Sequence, residues 1–209
     1  PHSPYTVGPE LWSEVLADPI LGAGSVAAHV AESPDEVMLL DEGVGPLVEA
    51  IHSVGRDPAR WPGGGPGVVS RLEAGGALTP GLIAAHCVQV DSDDAGILAE
   101  HGVRVAHCPH SNVRLQCGDA PIELLQVLGV PVGLGTDSPA SAGSYDLRDE
   151  ARWAAEAAAR APAPYVTAYA AEIAVLREMG FDTEAAGSAL VATSGDIDRA
   201  AERLASQPD

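Results

Sequence analysis

The sequence predicts an α/β fold in which parallel strands alternate with helices. Three observations carry this: four short apolar β-type runs between residues 25 and 136, helix-type stretches between them, and a chemistry-bearing polar residue at or near the end of each run. The chain has 209 residues, 46% of them hydrophobic, enough for a core in one large or two small domains. A formal charge of −19 repels a phosphate backbone and argues against DNA or RNA as a partner. The 3 cysteines include no Cys-x-x-Cys pair, which argues against a disulfide framework or a Cys-built zinc site and for reduced thiols in the cytoplasm. No lysine is present, so Schiff-base catalysis on lysine is excluded. No apolar run approaches the roughly 20 residues of a membrane span, and no basic-then-apolar leader opens the chain, so a cytosolic protein is expected.

The first strand is expected in "SVAAHVAE" (25–32), followed by a helix from Asp35 to about Val54. The loop "RDPARWPGGGPG" (56–67) breaks both periodicities and reads as a surface segment or lid. Three further strands are expected in "GLIAAHC" (81–87), "VRVAHC" (103–108) and "VPVGLGT" (130–136), separated by helices in "DSDDAGILAEHG" (91–102) and "APIELLQVLG" (120–129). An Ala-rich amphipathic helix, "DLRDEARWAAEAAARA" (146–161), closes the last unit with Glu150 and Arg152 assigned to its polar side. At "APAP" (161–164) the alternation ends, because proline stops helices and stiffens linkers. The sequence therefore predicts two domains, 1–160 and 165–209, the second with helices in "YVTAYAAEIAVLREM", "DTEAAGSALVAT" and "GDIDRAAERLAS".

His29, His86, His107 and Asp137 lie at or near the C-terminal ends of the four strand candidates. In a (β/α) barrel those ends converge on one mouth. A single histidine at a strand end is more often a hydrogen-bonded structural residue; the coincidence of four carries the inference. Histidine with aspartate suits Zn²⁺ or Fe²⁺ bound through imidazole nitrogen and carboxylate oxygen, and metal-assisted hydrolysis is the matching chemistry. Glu32, three residues past His29, is placed to take a proton from water and pass it to a leaving group.

The segments "PHSPYT", "HVAESPDE", "AAHCV", "HCPHSNVRLQCGDAPIELL" and "GVPVGLGTDSPASAGSYDLRDEAR" resemble the second half of an amidohydrolase-superfamily barrel, over residues 1–152. The resemblance is to the branch of chlorohydrolases and of adenosine-type, S-adenosylhomocysteine-type and aminodeoxyfutalosine deaminases. It implies a partial (β/α)8 TIM barrel, roughly strands 4–8, which is followed here by the small three-helix bundle read from residue 165 on. It further implies that His29 and Asp137 are metal ligands and Glu32 the proton shuttle, with Asp137 also moving protons and His86 facing the water or substrate. His2 would line the substrate pocket, and Asn112 with the "GDAPI" loop would lie on the substrate side. The implied reaction hydrolyses a C–N bond of a small heterocyclic substrate and releases ammonia. No His-x-His occurs, so the family's first-strand ligand pair is absent and the metal set is two residues short. A chain of this content is expected to be a fragment, to bind metal weakly and to be a poor or inactive catalyst alone. Unpaired strand edges would favour association with further copies. His107 and His110 read mainly as structural, and His52 and His101 as exposed or capping imidazoles.

Residues 169–206 resemble a ubiquitin-associated domain through Met179-Gly180-Phe181, then Ala189, Leu190, Ala192, Thr193, Gly195 and Asp196, then "AAERL". This implies an apolar ubiquitin-binding patch of Met179, Gly180, Phe181 and Leu204. The bland alternative is that Met179 and Phe181 are core of a small bundle that binds nothing, and similar modules occur in bacterial translation factors. Two function classes result: a metal-dependent deaminase-like hydrolase, or a non-catalytic adaptor carrying a ubiquitin-binding module.

Overall fold

A computed structural model describes residues 1–58, 60, 67–160, 169–181, 183–193 and 195–206. Four strands, β1 (Val26–Val30), β2 (Leu82–His86), β3 (Arg104–His107) and β4 (Val132–Leu134), pair in sequence order, all parallel. The α/β class and all four strand positions are as expected, each strand somewhat shorter than its apolar run. The register sets Val30 beside His86 and His107 beside Leu134, so the C-terminal ends share one rim. Residues before β1 form a turn closed by Thr6 and Val7 N–H on the Ser3 carbonyl, then helix α1 (Pro9–Ala17). Among the described residues the sheet thus has four strands, and the place beyond β1 is marked by the His2 carbonyl, which accepts from the His29 N–H at 2.8 Å.

The continuous helix expected from Asp35 to Val54 is broken. Helix α2 (Pro34–Val37) widens into a π-type turn over Met38–Glu42, ends at Gly43 with φ 70°, and a new helix, α3 (Pro46–Ser53), begins after Gly45 at φ 104°. Pro46 cannot continue a helix, and the two left-handed glycines turn the chain into it. The "RDPARWPGGGPG" loop lies mostly outside the described residues. Helix α4 (Val68–Ala74), not anticipated, buries Val68, Val69 and Leu72. Helix α5 (Ser92–Glu100) starts on a reciprocal cap between Asp91 and Asp94, worth about 1 kcal/mol. After β3 comes another unanticipated helix, α6 (Pro109–Arg114), started by proline at its first position, and then α7 (Ile122–Val127). A single turn, α8 (Pro139–Ala142), and the long α9 (Leu147–Arg160) follow β4.

The core packs Val30, Leu82, Ala84 and Val105 of the sheet with Leu72 of α4, Leu98 of α5, Leu125 of α7 and Trp12 of α1. One expectation for α9 fails: Glu150 is buried, not on a polar face, and accepts the His110 N–H at 3.1 Å, whereas Arg152 is exposed and pairs with Asp149. The unsatisfied first turn of α6 gave that carboxylate a reason to go inside.

Helices α10 (Ala170–Glu178), α11 (Thr183–Ala192) and α12 (Ile197–Ala205) form the expected three-helix bundle around Ile173, Leu176, Ala186, Ala189, Leu190 and Ala200. The boundary expected at 161–164 lies outside the described residues. Val191 belongs to the sheet core and Tyr169 packs on both cores, so α11 shares a wall with α7.

Gly135 continues the ladder past β4, donating its N–H to the His107 carbonyl at 2.9 Å. A Cβ there would stand 2.9 Å from Cys108 Sγ and 3.4 Å from Ala106 Cβ. Gly135→Ala is expected to cost roughly 1–3 kcal/mol in urea unfolding, and clearly less in a Cys108→Ala background. Equal costs in both backgrounds would show that the sulfur contact is not the cause.

Candidate metal centre

Three of the four strand ends turn through left-handed backbone at non-glycine residues: Ala31 (φ 49°) after β1, His86 (φ 72°) at the end of β2, and Asp137 (φ 53°) after β4. Such conformations each cost on the order of 1–3 kcal/mol and persist where the surroundings over-determine them. Here they cluster on one rim beside the polar residues that the sequence singled out.

His29, His86 and Asp137 each offer a ligand atom, and these atoms lie within 4.8 Å of one another. His29 Nε2 is 3.7 Å from Asp137 Oδ1, and His86 Nε2 is 3.7 Å from Glu32 Oε1. The His29 and His86 rings stack with centroids 5.1 Å apart, and the His2 ring lies 4.9 Å from His29. The His2 carbonyl, 3.0 Å from His29 Nδ1, can only accept, so Nδ1 carries a proton and in the neutral ring Nε2 is bare. Asp137 Oδ2 accepts from Ser111 Oγ at 2.7 Å and Ser141 Oγ at 2.5 Å. Burial raises the Asp137 carboxyl, but these two hydroxyls and His86 outweigh it and hold the group below the ordinary carboxylate range. His86 Nε2 is fully buried with no hydrogen-bond partner. A bare buried imidazole nitrogen beside a second imidazole and an ionised carboxylate fits a divalent metal ion, because each group presents a lone pair to the same space. His86 therefore stands beside the His29–Asp137 pair, where the sequence resemblance gave it a water-facing or substrate-facing role.

Glu32 and His2 border this cluster. Burial, then the neighbouring His29, holds the His2 imidazole below its usual value. Asn112 is buried and its Oδ1 lies 2.8 Å from His86 Nδ1; it also lines a cavity of about 360 Å³ with Val113, Gln116, Gly118 and Asp119. His107 is buried at the end of β3, pushed down to about 4 by desolvation, and does not enter the metal cluster. The His110 ring stacks on Trp153 at 4.7 Å, turned toward α9. His52 and His101 stand on the surface beside Asp57 and Glu73, at 3.5 and 3.1 Å, as expected of peripheral imidazoles. All three cysteines are free and buried. In the bundle Met179 is 56% exposed, while Phe181 and Leu204 pack against the core, so the expected patch is only partly outward-facing.

Sequence reasoning missed Glu36 and Ser111. Glu36 is 1% exposed and its Oε2 accepts the Glu32 N–H at 2.7 Å, fixing the backbone of the candidate shuttle. Burial pushes its carboxyl up to about 7, against the opposing Glu32 hydrogen bond. The available signal was Ser33-Pro34 as a helix start, which puts Glu36 in the first turn with its side chain turned back over the strand end.

Comparison with known proteins identifies the family. Residues 1–175 match the Amidohydrolase family, and residues 169–204 match the UBA/TS-N domain. The 5-methylthioadenosine/S-adenosylhomocysteine deaminase of Pelotomaculum thermopropionicum is 36% identical over 152 residues, covering 73% of this chain and 30% of that protein. The protein of the same name from Natronomonas pharaonis is 38% identical over 157 residues, covering 74% and 31%. The chain thus spans about 30% of the length of the curated relatives it matches. Among solved structures, an adenosine deaminase from Xanthomonas campestris with bound zinc superposes over 97% of this chain and 38% of its own, with TM-score 0.59 and 28% identity. An amidohydrolase from Brucella melitensis, at 22% identity and TM-score 0.55, shares the fold over 75% of this chain and 30% of its own. No helix among the described residues is long and apolar enough to cross a membrane.

The buried Glu36 carboxyl makes stability depend on pH. Its folded value of about 7 lies above the ordinary 4.5, so across that window the folded chain holds more protons than the unfolded one and stability falls as pH rises. The expected loss from pH 4.5 to 7 is about 3 kcal/mol. Glu36→Gln should remove that share of the slope in urea unfolding and leave a comparable share from Asp94, which burial also raises to about 7. An unchanged slope in the variant would show that Glu36 is not the group responsible.

Proposed function

Because the chain belongs to the amidohydrolase family, we propose that residues 1–160 carry the ligand and proton-transfer groups of a metal-dependent deaminase. Its substrate is an aminopurine nucleoside of the adenosine, 5′-methylthioadenosine or S-adenosylhomocysteine kind, and its setting is the cytoplasm. The observation that carries this reading is the buried, partnerless His86 Nε2 facing Glu32, with His29 and Asp137 alongside. The bound zinc of the Xanthomonas neighbour makes Zn²⁺ the ion we assign, held by His29 and Asp137 with His86 beside them. When bound, Zn²⁺ supplies Lewis-acid activation of water.

The remaining chemistry belongs to the side chains. His86 Nε2 accepts a hydrogen bond from the attacking water and aims its oxygen at the amine-bearing ring carbon. Glu32, 3.7 Å from that nitrogen, takes a proton from the water and delivers it to the amino group. A C–O bond forms, the C–N bond breaks and ammonia leaves. Asp137 Oδ1, free of the serines that hold Oδ2, is placed to take part in the same proton traffic. His2 walls the pocket on the β1 side.

The test joins this chain to the part of the Pelotomaculum relative that it does not cover, loads Zn²⁺ and measures ammonia release from the three nucleosides. Zn-dependent release is expected, with Glu32→Gln lowering kcat by at least ~100-fold. A fusion that holds stoichiometric zinc and releases no ammonia from any of them would overturn the deaminase reading.

A second reading, a ubiquitin-type binding role for residues 165–209, is favoured by the exposed Met179 beside Gly180 within a segment that matches the UBA/TS-N domain. It would make the chain an adaptor whether or not residues 1–160 catalyse. Titrating the ¹⁵N-labelled chain with ubiquitin is expected to shift Met179 and Gly180. No shift at saturating ubiquitin removes this reading.

A further inference from the structure

Helix α6 hangs from the end of β3, and two consecutive residues of it reach the ends of the strands on either side. Ser111 donates to Asp137 beyond β4, and Asn112 meets His86 at the end of β2. Asn112 is 1% exposed, its N–H donates to the Cys108 carbonyl at 3.0 Å, and its own carbonyl accepts from the Cys117 N–H at 2.9 Å. Both sides of its backbone are therefore tied down, and the side chain has little freedom to leave His86. The atom presented to His86 Nδ1 is the amide oxygen, at 2.8 Å. An amide oxygen accepts and never donates, so the proton of a neutral His86 must sit on Nδ1.

We propose that Asn112 is a positioning residue, which acts through His86 by locking it in the Nδ1–H tautomer and so delivers a bare Nε2 lone pair to the metal cluster. The sequence resemblance had suggested a substrate contact for Asn112; here its oxygen is already committed to His86. The backbone carbonyl of His2 does the same for His29, so both imidazoles are oriented from behind by neutral acceptors. A bare Nε2 is required whether that atom accepts from water or binds the ion. The use made of the lone pair rests on the deaminase reading; the tautomer itself does not.

The test uses the full metal-free chain labelled with ¹⁵N-histidine and reads long-range ¹H–¹⁵N correlations, with His86→Gln to assign the His86 signals. The expected spectrum shows a protonated Nδ1 and a pyridine-type Nε2. Asn112→Leu should move His86 toward the Nε2–H form, whereas Asn112→Asp, which keeps an acceptor oxygen in place, should preserve Nδ1–H. Zn²⁺ titration of the same chains adds a second readout, with Asn112→Leu weakening binding about 10–100-fold. A wild-type His86 found as Nε2–H overturns the proposal even if no variant folds, and so does an Asn112→Leu protein whose unchanged His52 and His101 signals report a fold but whose His86 tautomer has not moved. If instead the wild-type chain shows the Nδ1–H tautomer yet takes up no Zn²⁺ here or in the fusion, the metal-dependent deaminase reading fails and the tautomer assignment stands.

Discussion

The parallel register of the four strands is the constraint on which the site depends. Parallel pairing places the C-terminal ends of consecutive strands on the same side of the sheet, and the Val30–His86 and His107–Leu134 partnerships bring them level. Residues far apart in sequence, His29, His86 and Asp137, then need only local backbone turns to meet. The left-handed φ at Ala31, His86 and Asp137 supplies those turns. In an antiparallel sheet the same polar residues would alternate between opposite edges and no cluster would form.

Polar burial is concentrated at that rim. Glu36 Oε1, His86 Nε2, His107 Nδ1, His110 Nδ1 and Asn112 Nδ2 are all buried without hydrogen-bond partners among the described residues. An unpaired buried polar group costs about 1–3 kcal/mol, against a net stability of roughly 5–15 kcal/mol for a whole domain. Such groups are tolerated only where the core is strong, and here it is: Leu72, Leu82, Leu98 and Leu125 are all fully buried directly beneath or beside the strands. Local rules of good packing are broken mainly near the candidate chemistry, which is the distribution expected when a fold is stabilised in one place and strained in another.

The sheet was legible in the sequence because buried parallel strands are short continuous apolar runs, and "GLIAAHC" or "VRVAHC" has few other ways to be satisfied. His29 and Asp137 were legible for the same reason, as polar residues punctuating the ends of those runs. The Asp35–Val54 helix was misread because its apolar periodicity continues across Gly43-Val44-Gly45-Pro46, and the punctuation at that point overrides the pattern. Glu150 was misread because helical periodicity places it with the charged residues of α9, while its real partner, the His110 N–H, lies 40 residues away in sequence and leaves no local trace. Ser111 was invisible for a related cause: it acts on Asp137, 26 residues away, and only tertiary contact assigns the role. Glu36 bonds only four residues back, and was missed because the Ser33-Pro34 helix start was not read as turning a carboxylate over the strand end.

The division of labour among the strands has its origin in the same geometry. β1, β2 and the turn after β4 deliver His29, His86 and Asp137, but β3 ends in His107, which is desolvated and stays outside the cluster. β3 nevertheless occupies the one position between β2 and β4, so a segment leaving its C-terminal end is within reach of both neighbours. Pro109, two residues past the end of β3, starts α6 at once and sets Ser111 and Asn112 one after the other along its turn. Consecutive helical residues diverge by about 100° in direction, and that divergence lets one reach Asp137 and the other His86. The strand whose own histidine stays outside the cluster thus carries the element that meets a cluster residue of the strand on either side.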